Sequence, residues 1–448
     1  AAGEHGLDPN DYSIEEIEER ISSTDPEQLA ELDLLISDVF ADYGRDLAKG
    51  RIDPASTSSE IHVKPKGPGP LSLIDGAEDA DDIEPYLATL APSAWEYAAL
   101  KDGLSRYRAI AAAGGWPGLP EGPTLKPGMN DPRVPILRKR LFVTGEFKGA
   151  ADDVAVLYDE PLAEAVKAFQ VRHGLNGDGA IGPGTFAALN VPVEDRVAQL
   201  VINLERRRWI EDDLGEVYVF VNLADAYLRV VHKNGSADET VHEARLVVGE
   251  PTKRTPVFTE NMSFIVFNPY WEVPPSIANN EYLPKLRQDA GYLARQDIRI
   301  LNASGEVNPW SVDWSSISRM PYRLRQDSGE GNALGRIKFM FPNPYNIYIH
   351  DTPSKRLFEK EKRFFSHGCM RVQHPAQLAE VLLRGQGWSA AKIESQIASG
   401  EQRIVNLATK VPVHVTYLTA WVDKVGAVQF RPDVYGRDKP LIEALVKN

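Results

Sequence analysis

Apolar residues recur at helical spacing through the first third of the chain. The stretch "SIEEIEERI" follows the capping-box pattern, with Ser13 followed three positions later by Glu16. A second stretch predicts a helix with apolar residues at Leu29, Leu32, Leu35, Ile36 and Val39. Residues 50–75 are rich in Pro, Gly and Ser and predict an irregular connection. We therefore predict a helical scaffold domain over residues 1–128, completed by a helix within residues 193–213.

Short amphipathic helices separated by a Gly/Asp turn are predicted for residues 129–192. In "YDEPLAEAVKAFQVRHGLNGDGAIGPGTFAALNV", Val166, Phe169 and Gln170 lie on one helix, which ends at Gly174. The tight turn into the next helix contains Asp178, Gly179, Ile181, Gly182 and Thr185. This pattern predicts a small helical domain that is separate from the scaffold.

From about residue 214 the helical spacing gives way to short runs of β-branched and aromatic residues. The segment "VYVFVNLADAYLRVVH" predicts two strands joined by a hairpin turn at Ala224–Ala226. Similar runs follow, including "GRIKFMF", "YNIYIHD" and "KVPVHVTYLTAWV". Residues 272–331 interrupt them and are too long for an ordinary loop, so we predict an inserted helical capping subdomain, or lid. A mostly-β domain over residues 214–430, with a C-terminal tail at 431–448, completes a multidomain α+β fold.

The composition excludes several classes of function. The chain has 448 residues, 43% of them hydrophobic, and a formal charge of 50 − 64 = −14. Several hydrophobic cores can form, and nucleic acid is not an expected partner for an acidic chain without a Lys/Arg block. No uninterrupted apolar run approaches the roughly 20 residues needed to span a bilayer. The start "AAGEHG" suits a mature exported protein whose signal segment has been removed.

Cys369, in "FFSHGCMRV", is the only cysteine of the sequence. It therefore has no partner for an internal disulfide, and the paired thiolates of an ordinary structural zinc site are missing. A thiol becomes a nucleophile when a nearby base removes its proton. His350, His367 and His374 are close to it in sequence, and strand alternation in "YNIYIH" puts His350 on the same face as Tyr348.

Gly368, directly before the thiol, lets consecutive backbone N–H groups converge on one point. Such groups hold the oxyanion of an acyl-transfer intermediate, so the sequence favours acyl transfer to Cys369. Three alternatives remain open. The thiol could be an inert core residue, although Ser, His and Gly neighbours are not typical of a core. It could bind a metal with His367 and His374, or sense redox state, although no resolving cysteine is present.

These motifs resemble a known family. His350, fifteen further residues and then "SHGCMRV" resemble the signature of the L,D-transpeptidases with a YkuD-type catalytic domain. The stretches "NPYWEVPPSI", "RLRQDSGEGNALGRIKFMFPN" and "RFFSHGCMRVQHP" are similar to the large periplasmic, YcbB-like subtype, and Ala165–Leu189 resembles a three-helix peptidoglycan-binding domain. One departure is Asp327–Gly331, which lacks the proline that the subtype tends to have in its lid motif and adds acids.

The resemblance implies peptidoglycan cross-linking. Cys369 would attack the bond between the third residue of a tetrapeptide stem and its terminal D-alanine, and an amine of a neighbouring stem would resolve the thioester. The family pattern makes His350 the general base, oriented by the backbone carbonyl of Asp351, and places the oxyanion at the amides of Gly368 and Cys369. From spacing alone, His367 is an equal candidate for the base, because residues i and i+2 of an extended segment share a side. No cofactor and no metal are implied.

The predicted substrate-binding residues surround this signature. Guanidinium groups suit the carboxylates of a stem peptide, aromatic rings would line the cleft, and Asn332 with Gly335 would fix the lid. Alternatively, the arginines pair with acids and the aromatic residues belong to a core. The set is Arg371, Ser366, Tyr348, Trp271, Arg363, Arg325 and Asn332.

The resemblance also implies partners and a location. The expected partners are peptidoglycan stem peptides and glycan, other cell-wall synthesis proteins, and carbapenem-type β-lactams as covalent inhibitors, all in the periplasm. An L,D-carboxypeptidase with water as acceptor, or an enzyme that attaches a D-amino acid or a protein, would use the same donor. A non-catalytic cell-wall-binding protein is the alternative from another class.

Overall fold

The computed structural model describes residues 2–151, 154–234 and 237–447. The chain forms two compact units, one made of Ala1–Asp213 with Tyr417–Asn448 and the other of Leu214–Thr416. In the part of the chain that is described, no helix combines the length and the apolar character needed to cross a membrane.

Helices make up most of the first unit. Four of them begin at an aspartate whose side chain accepts a backbone N–H of the first turn: Asp25, Asp53, Asp82 and Asp159. The helices of its first segment are α1 (Ile14–Arg20), α2 (Pro26–Lys49), α3 (Pro54–Thr57), α4 (Pro70–Glu78), α5 (Ile83–Leu90), α6 (Trp95–Ala112), α7 (Val134–Val143), α8 (Glu160–Arg172), α9 (Pro183–Leu189) and α10 (Val193–Arg208).

Two local predictions for this unit were wrong. Ser13 precedes α1, but its backbone is left-handed, with φ of 47°, and its side chain makes no capping hydrogen bond. The capping box needs an extended residue there. Residues 50–75 were predicted to be irregular, yet α4 begins at Pro70. A proline in a turn-rich stretch also suits the first turn of a helix, because that turn needs no N–H donor there.

The Gly/Asp turn of the small helical module is held together by Gln170. Its buried amide donates to the Asp178 side chain and to the Ala180 carbonyl, each at 2.9 Å, and accepts from the amide of Gly179 at 2.8 Å. It also donates to the Thr185 hydroxyl at 3.1 Å. The residues that make this sequence pattern recognisable are therefore the ones that fix the turn between α8 and α9.

The second unit is built on one nine-stranded sheet. The strands of this unit are β1 (Val217–Asn222), β2 (Tyr227–Asn234), β3 (Ala237–Gly249), β4 (Phe258–Phe267), β5 (Trp271–Glu272), β6 (Ile298–Asn302), β7 (Gly305–Glu306), β8 (Arg323–Gln326), β9 (Ile337–Met340), β10 (Ile349–His350), β11 (Phe364–Ser366), β12 (Met370–Val372) and β13 (Arg403–Thr416). The order in the large sheet is β11-β3-β12-β10-β9-β4-β13-β1-β2, and β3 also pairs with β2, so the sheet closes on itself. The predicted hairpin turn joins β1 to β2.

The segment between β4 and β9 has a core of its own. Its helices are α11 (Pro275–Ile277), a π-helical turn at Ala278–Tyr282, and α12 (Leu283–Gln288). They pack with a small sheet of order β5-β8-β6-β7. The core includes Leu283, Leu286, Leu293, Ile300, Trp314 and Leu324. The helices expected here are present, and the small sheet is an addition that short, polar strands did not reveal in the sequence.

The chain leaves the second unit earlier than the sequence suggested. Helices α13 (Pro375–Leu382) and α14 (Ala390–Ala398) precede β13, and the last elements are β14 (Ala420–Val422), β15 (Val428–Phe430) and α15 (Asp438–Lys447). The boundary placed at residue 430 moves to Thr416. The apolar side chains of β14 and β15, among them Val422 and Phe430, share a core with Tyr97, Leu100 and Leu204 of α6 and α10. Residues 431–448, predicted as a tail, include α15.

Candidate functional site

Three neighbouring strands of the closed sheet place three basic side chains in one row. His350 of β10 is the register partner of Arg371 in β12 and of Lys338 in β9. Register partners project from the same face of a sheet. The residues next to them, Ile349, Met370 and Phe339, are fully buried on the opposite face. The sheet therefore presents Lys338, His350 and Arg371 side by side on its polar face.

Cys369 lies at the edge of this row, directly before β12. Strand alternation puts it on the same side as Arg371, and the thiol is half-buried. Its thiol donates to the Asn346 carbonyl at 3.5 Å, and Tyr348 is among the groups that act on the pKa of this thiol. The Tyr348 ring contacts the His350 ring, with 5.6 Å between centroids. The structure thus brings together Cys369, Tyr348, His350 and Arg371, four of the residues proposed for the site.

His350 is held in one orientation by the backbone. Its Nδ1 lies 2.5 Å from the carbonyl oxygen of Asp351. A donor at Nδ1 leaves Nε2 as the nitrogen that can accept a proton. Burial, with the positive charges of Arg371 and Lys338, lowers the pKa of His350 to about 3. The imidazole is therefore uncharged at neutral pH and can act as a base.

The thiol is also uncharged at rest. Burial raises the pKa of Cys369 above its ordinary value, although Tyr348, Lys338 and Arg371 favour the thiolate. Because the pKa of Cys369 is raised and that of His350 is about 3, these two residues are not a thiolate and an imidazolium at rest.

We expect the rate of Cys369 alkylation by neutral iodoacetamide to keep rising with pH beyond about 8.5, where a free thiol titrates. The rise follows thiolate formation, because the thiolate is the nucleophile. The reaction is quenched at set times, and intact-protein mass spectrometry then measures this rate from pH 5 to 10. A plateau of high reactivity below pH 7 would contradict an uncharged resting pair.

Asp351 is fixed from two sides. Its carboxylate accepts the Arg336 amide at 2.9 Å and pairs with Lys355. Gly335 packs directly against it: a Cβ added there would lie 2.4 Å from the Asp351 carboxyl carbon. Gly335 also has φ of +61°, in the left-handed region that favours glycine. This close approach sets the position of the carbonyl that orients His350.

Gly335→Ala should lower the free energy of unfolding by about 2–4 kcal/mol, from the left-handed backbone and the overlap with Asp351. Activity should fall further than stability explains, because the His350 support moves. Gly329→Ala is the matched control, since nothing lies within 4 Å of its added Cβ. Urea unfolding and turnover of both variants test this, and equal effects at the two glycines would contradict it.

The segment before the thiol is shaped by Gly368. Its φ is +113°, in the left-handed region that favours glycine. The Gly368 carbonyl accepts the hydroxyl of the fully buried Thr255 at 2.7 Å. In a trans peptide the N–H lies opposite the carbonyl, so Thr255 orients the Cys369 amide. The Gly368 amide donates to the Ser366 hydroxyl at 3.2 Å, so this contact does not support the oxyanion role that was predicted for it.

Thr255→Val should reduce kcat/KM about 10-fold, because one hydrogen bond that orients the Cys369 amide is lost. Alkylation of Cys369 by iodoacetamide should stay within about two-fold, since that reaction needs no oxyanion donor. Thr252→Val, an exposed threonine in the same loop, is the control. If alkylation fell as much as turnover, Thr255 would support the fold rather than this peptide.

His367 and His350 contact different partners. Its Nε2 lies 2.5 Å from Glu281 Oε1, and Glu281 also pairs with Lys253 at 2.9 Å. Glu281 belongs to the inserted subdomain, whereas Asp351 orients His350 from the sheet. The sequence left the two histidines nearly equal; the contacts favour His350 as the base and His367 as a link to the insert.

The other predicted binding residues are mostly engaged within the protein. Arg363 donates to the Asp225 carbonyl at 2.7 Å. Arg325 stacks on Tyr270, with 3.6 Å from guanidinium to ring centroid. Asn332 is buried, and its amide donates to the carbonyls of Pro269, Gln326 and Asp327. Trp271 lies in β5 against Tyr282 of the inserted subdomain. These contacts favour structural roles, as expected for Asn332 in the lid.

Three residues near the thiol were missed in the sequence: Lys338, Thr255 and Glu281. Lys338 could have been found, because it stands between Ile337 and Phe339 in a strand whose alternation gives it the polar face. Thr255 and Glu281 reach the site from a loop and an insert, and no local pattern indicates that.

A thiol, an imidazole and two cations on one face of a closed sheet define a candidate cysteine-nucleophile site. Residues 216–413 match the L,D-transpeptidase catalytic domain family YkuD, residues 130–189 match a peptidoglycan binding domain family, and residues 1–104 match a scaffold domain family. The chain therefore contains a YkuD L,D-transpeptidase catalytic domain and a peptidoglycan-binding domain. The resemblance to these two domain families and the predicted fold class are thereby confirmed.

A curated relative agrees with this assignment. An L,D-transpeptidase of Haemophilus influenzae is 36% identical over 251 residues, which is 55% of this chain and 50% of the relative. The chain thus matches about half the length of that protein.

Crystal structures of an L,D-transpeptidase from Xylanimonas cellulosilytica and of a fused Zn-dependent amidase/peptidase with a peptidoglycan-binding domain from Clostridium acetobutylicum are 16% and 11% identical to this chain. Each alignment covers 66% of this chain, and 98% and 100% of the respective structures. Both TM-scores are 0.19, so nothing about the fold follows from them.

Proposed function

We propose that this protein cross-links peptidoglycan stem peptides through a thioester on Cys369. The observation that carries the proposal is the row of polar side chains beside the thiol, within a domain that matches the YkuD family. Cys369 supplies the nucleophile, and His350, oriented by Asp351, supplies the base. Both halves of an acyl transfer can use the same pair.

In the first half-reaction the donor is a tetrapeptide stem. As the Cys369 sulfur attacks the carbonyl carbon of the third residue, its proton passes to His350. The amide of Cys369 holds the oxyanion, since the Gly368 amide already donates to Ser366. The C–N bond then breaks, His350 returns the proton to the leaving nitrogen, and D-alanine departs. Because thiol and base are both uncharged at rest, proton transfer accompanies attack.

In the second half-reaction an amine on the third residue of a neighbouring stem attacks the thioester. His350 takes the amine proton and passes it to the leaving sulfur, which restores the thiol. The product is a cross-link between two third residues. The peptidoglycan-binding domain would keep glycan close, and substrates of this kind place the protein outside the cytoplasm, in the periplasm.

Product analysis tests this proposal. We expect the protein, mixed with purified disaccharide-tetrapeptide, to give a dimer that has lost one D-alanine. Tripeptide alone would show water as the acceptor, hence an L,D-carboxypeptidase. Incorporation of an added D-amino acid would show exchange. Unchanged substrate, with folding verified by circular dichroism, would leave a non-catalytic cell-wall-binding protein.

A further inference from the structure

Lys338 and Arg371 differ from the other basic residues around the site. Lys355 pairs with Asp351, and Lys253 pairs with Glu281. Across the described ranges, by contrast, no carboxylate lies within ion-pair distance of Lys338 or Arg371, and the acidic group that acts on each is the thiol of Cys369. This occurs in a chain with 64 acidic and 50 Lys/Arg residues.

Two half-buried cations without an acid are costly to keep. Desolvation disfavours the charged form of each, and burial does lower the pKa of both Lys338 and Arg371. The Lys338 ammonium lies over the Tyr348 ring, 3.8 Å from the centroid, a contact that compensates only part of this cost. An anion bound between them would provide the missing charge.

The geometry limits where such an anion sits. Lys338 and Arg371 flank His350 in the row, and strands two apart in a sheet are about 10 Å apart. The charged ends of Lys338 and Arg371 can therefore contact the same anion only above the imidazole of His350. The carboxylate of a residue that directly follows the attacked bond lies about 4 Å or less from the reacting carbonyl, since neighbouring Cα atoms are 3.8 Å apart.

We propose that Lys338 and Arg371 form an anion site for the terminal carboxylate of the donor's leaving residue, with Lys338 as a specificity-determining residue outside the family signature. The site selects peptides in which the residue directly after the attacked bond is the last one and carries the terminal carboxylate. A further residue would replace the carboxylate with a neutral amide. This rests on the proposed function, but the binding of an anion beside the thiol can be measured without turnover.

Two alkylating reagents of nearly equal size test the site. Iodoacetate is an anion and iodoacetamide is neutral, and both transfer a two-carbon group to the Cys369 sulfur with loss of iodide. The ratio of their rates cancels changes in thiol pKa, because both react with the same thiolate. At low ionic strength we expect Lys338→Met to lower the iodoacetate-to-iodoacetamide ratio about 10-fold, as for loss of one charged hydrogen bond.

Two controls accompany this measurement. Lys338→Arg should keep the ratio within about two-fold, because the charge is retained. Lys410→Met, at an exposed position of the same unit, should leave it unchanged. An unchanged ratio in Lys338→Met, or an equal fall in Lys410→Met, would overturn the anion site.

The donor itself gives the second arm. Wild type should favour a tetrapeptide with a free carboxylate over its C-terminal amide, and Lys338→Met should lose most of this preference. If neither peptide is turned over while the alkylation ratios behave as expected, the proposed function fails and the anion site stands. Equal turnover of both peptides by wild type would overturn this assignment of the ligand.

Discussion

Cys369→Ser is expected to abolish turnover and covalent labelling. The neutral hydroxyl of serine is a far weaker nucleophile than a thiolate, and loss of a catalytic nucleophile typically costs roughly 10³-fold or more. The substitution changes one atom at a half-buried position, so the fold should be retained. Wild type should gain the mass of one carbapenem molecule, since a strained β-lactam amide can acylate the same thiol.

Intact mass spectrometry of both proteins, after incubation with a carbapenem, makes the measurement. Because the sequence has one cysteine, no second thiol can produce the adduct. A thermal melt of Cys369→Ser provides the folding control. Equal labelling of the serine variant, or an unmodified and folded wild type, would contradict a thioester mechanism.

His350→Gln should lower the rate of D-alanine release by roughly 10²–10⁴-fold, the usual contribution of a general base. Glutamine can still donate to the Asp351 carbonyl, so the local structure has a substitute for the Nδ1 hydrogen bond. The deficit should shrink at high pH, because hydroxide then forms the thiolate without the imidazole. Rates from pH 6 to 10 measure this.

His367→Gln is the matched comparison, with the same substitution two residues from the thiol. His367 contacts Glu281 of the insert, so its loss should cost much less, and the deficit should not depend on thiol deprotonation. A larger loss at His367 than at His350 would reverse the assignment of the base.

Local patterns were reliable where the signal is repeated. The longer helices of the first unit and the strand-rich second unit follow from spacing and alternation over many residues. Prediction failed at one capping residue and in a stretch that was assigned from its Pro, Gly and Ser content. Ser13 lacked the extended backbone that a cap needs, and Pro70 began a helix within a stretch that was predicted to be irregular.

The domain boundary shows a second limit of prediction from local sequence. The strands β14 and β15 have the same composition as those of the large sheet, so the sequence assigned them to it. The structure instead packs Val422 and Phe430 with Tyr97 and Leu100, more than 300 residues earlier. Which core a short apolar strand joins depends on the shape of distant surfaces, and local composition does not contain that information.

The sequence by itself determined that Cys369 is the one thiol of the chain and that a glycine and a histidine precede it, and from this it predicted a nucleophile and its candidate bases. Only the tertiary structure gave His350 and His367 different contacts, placed Thr255 and Lys338 near the thiol and, among the described residues, left Lys338 and Arg371 without a carboxylate partner. The reason is physical. Strand register and loop packing set these distances, and both depend on hydrogen bonds between segments that are far apart along the chain.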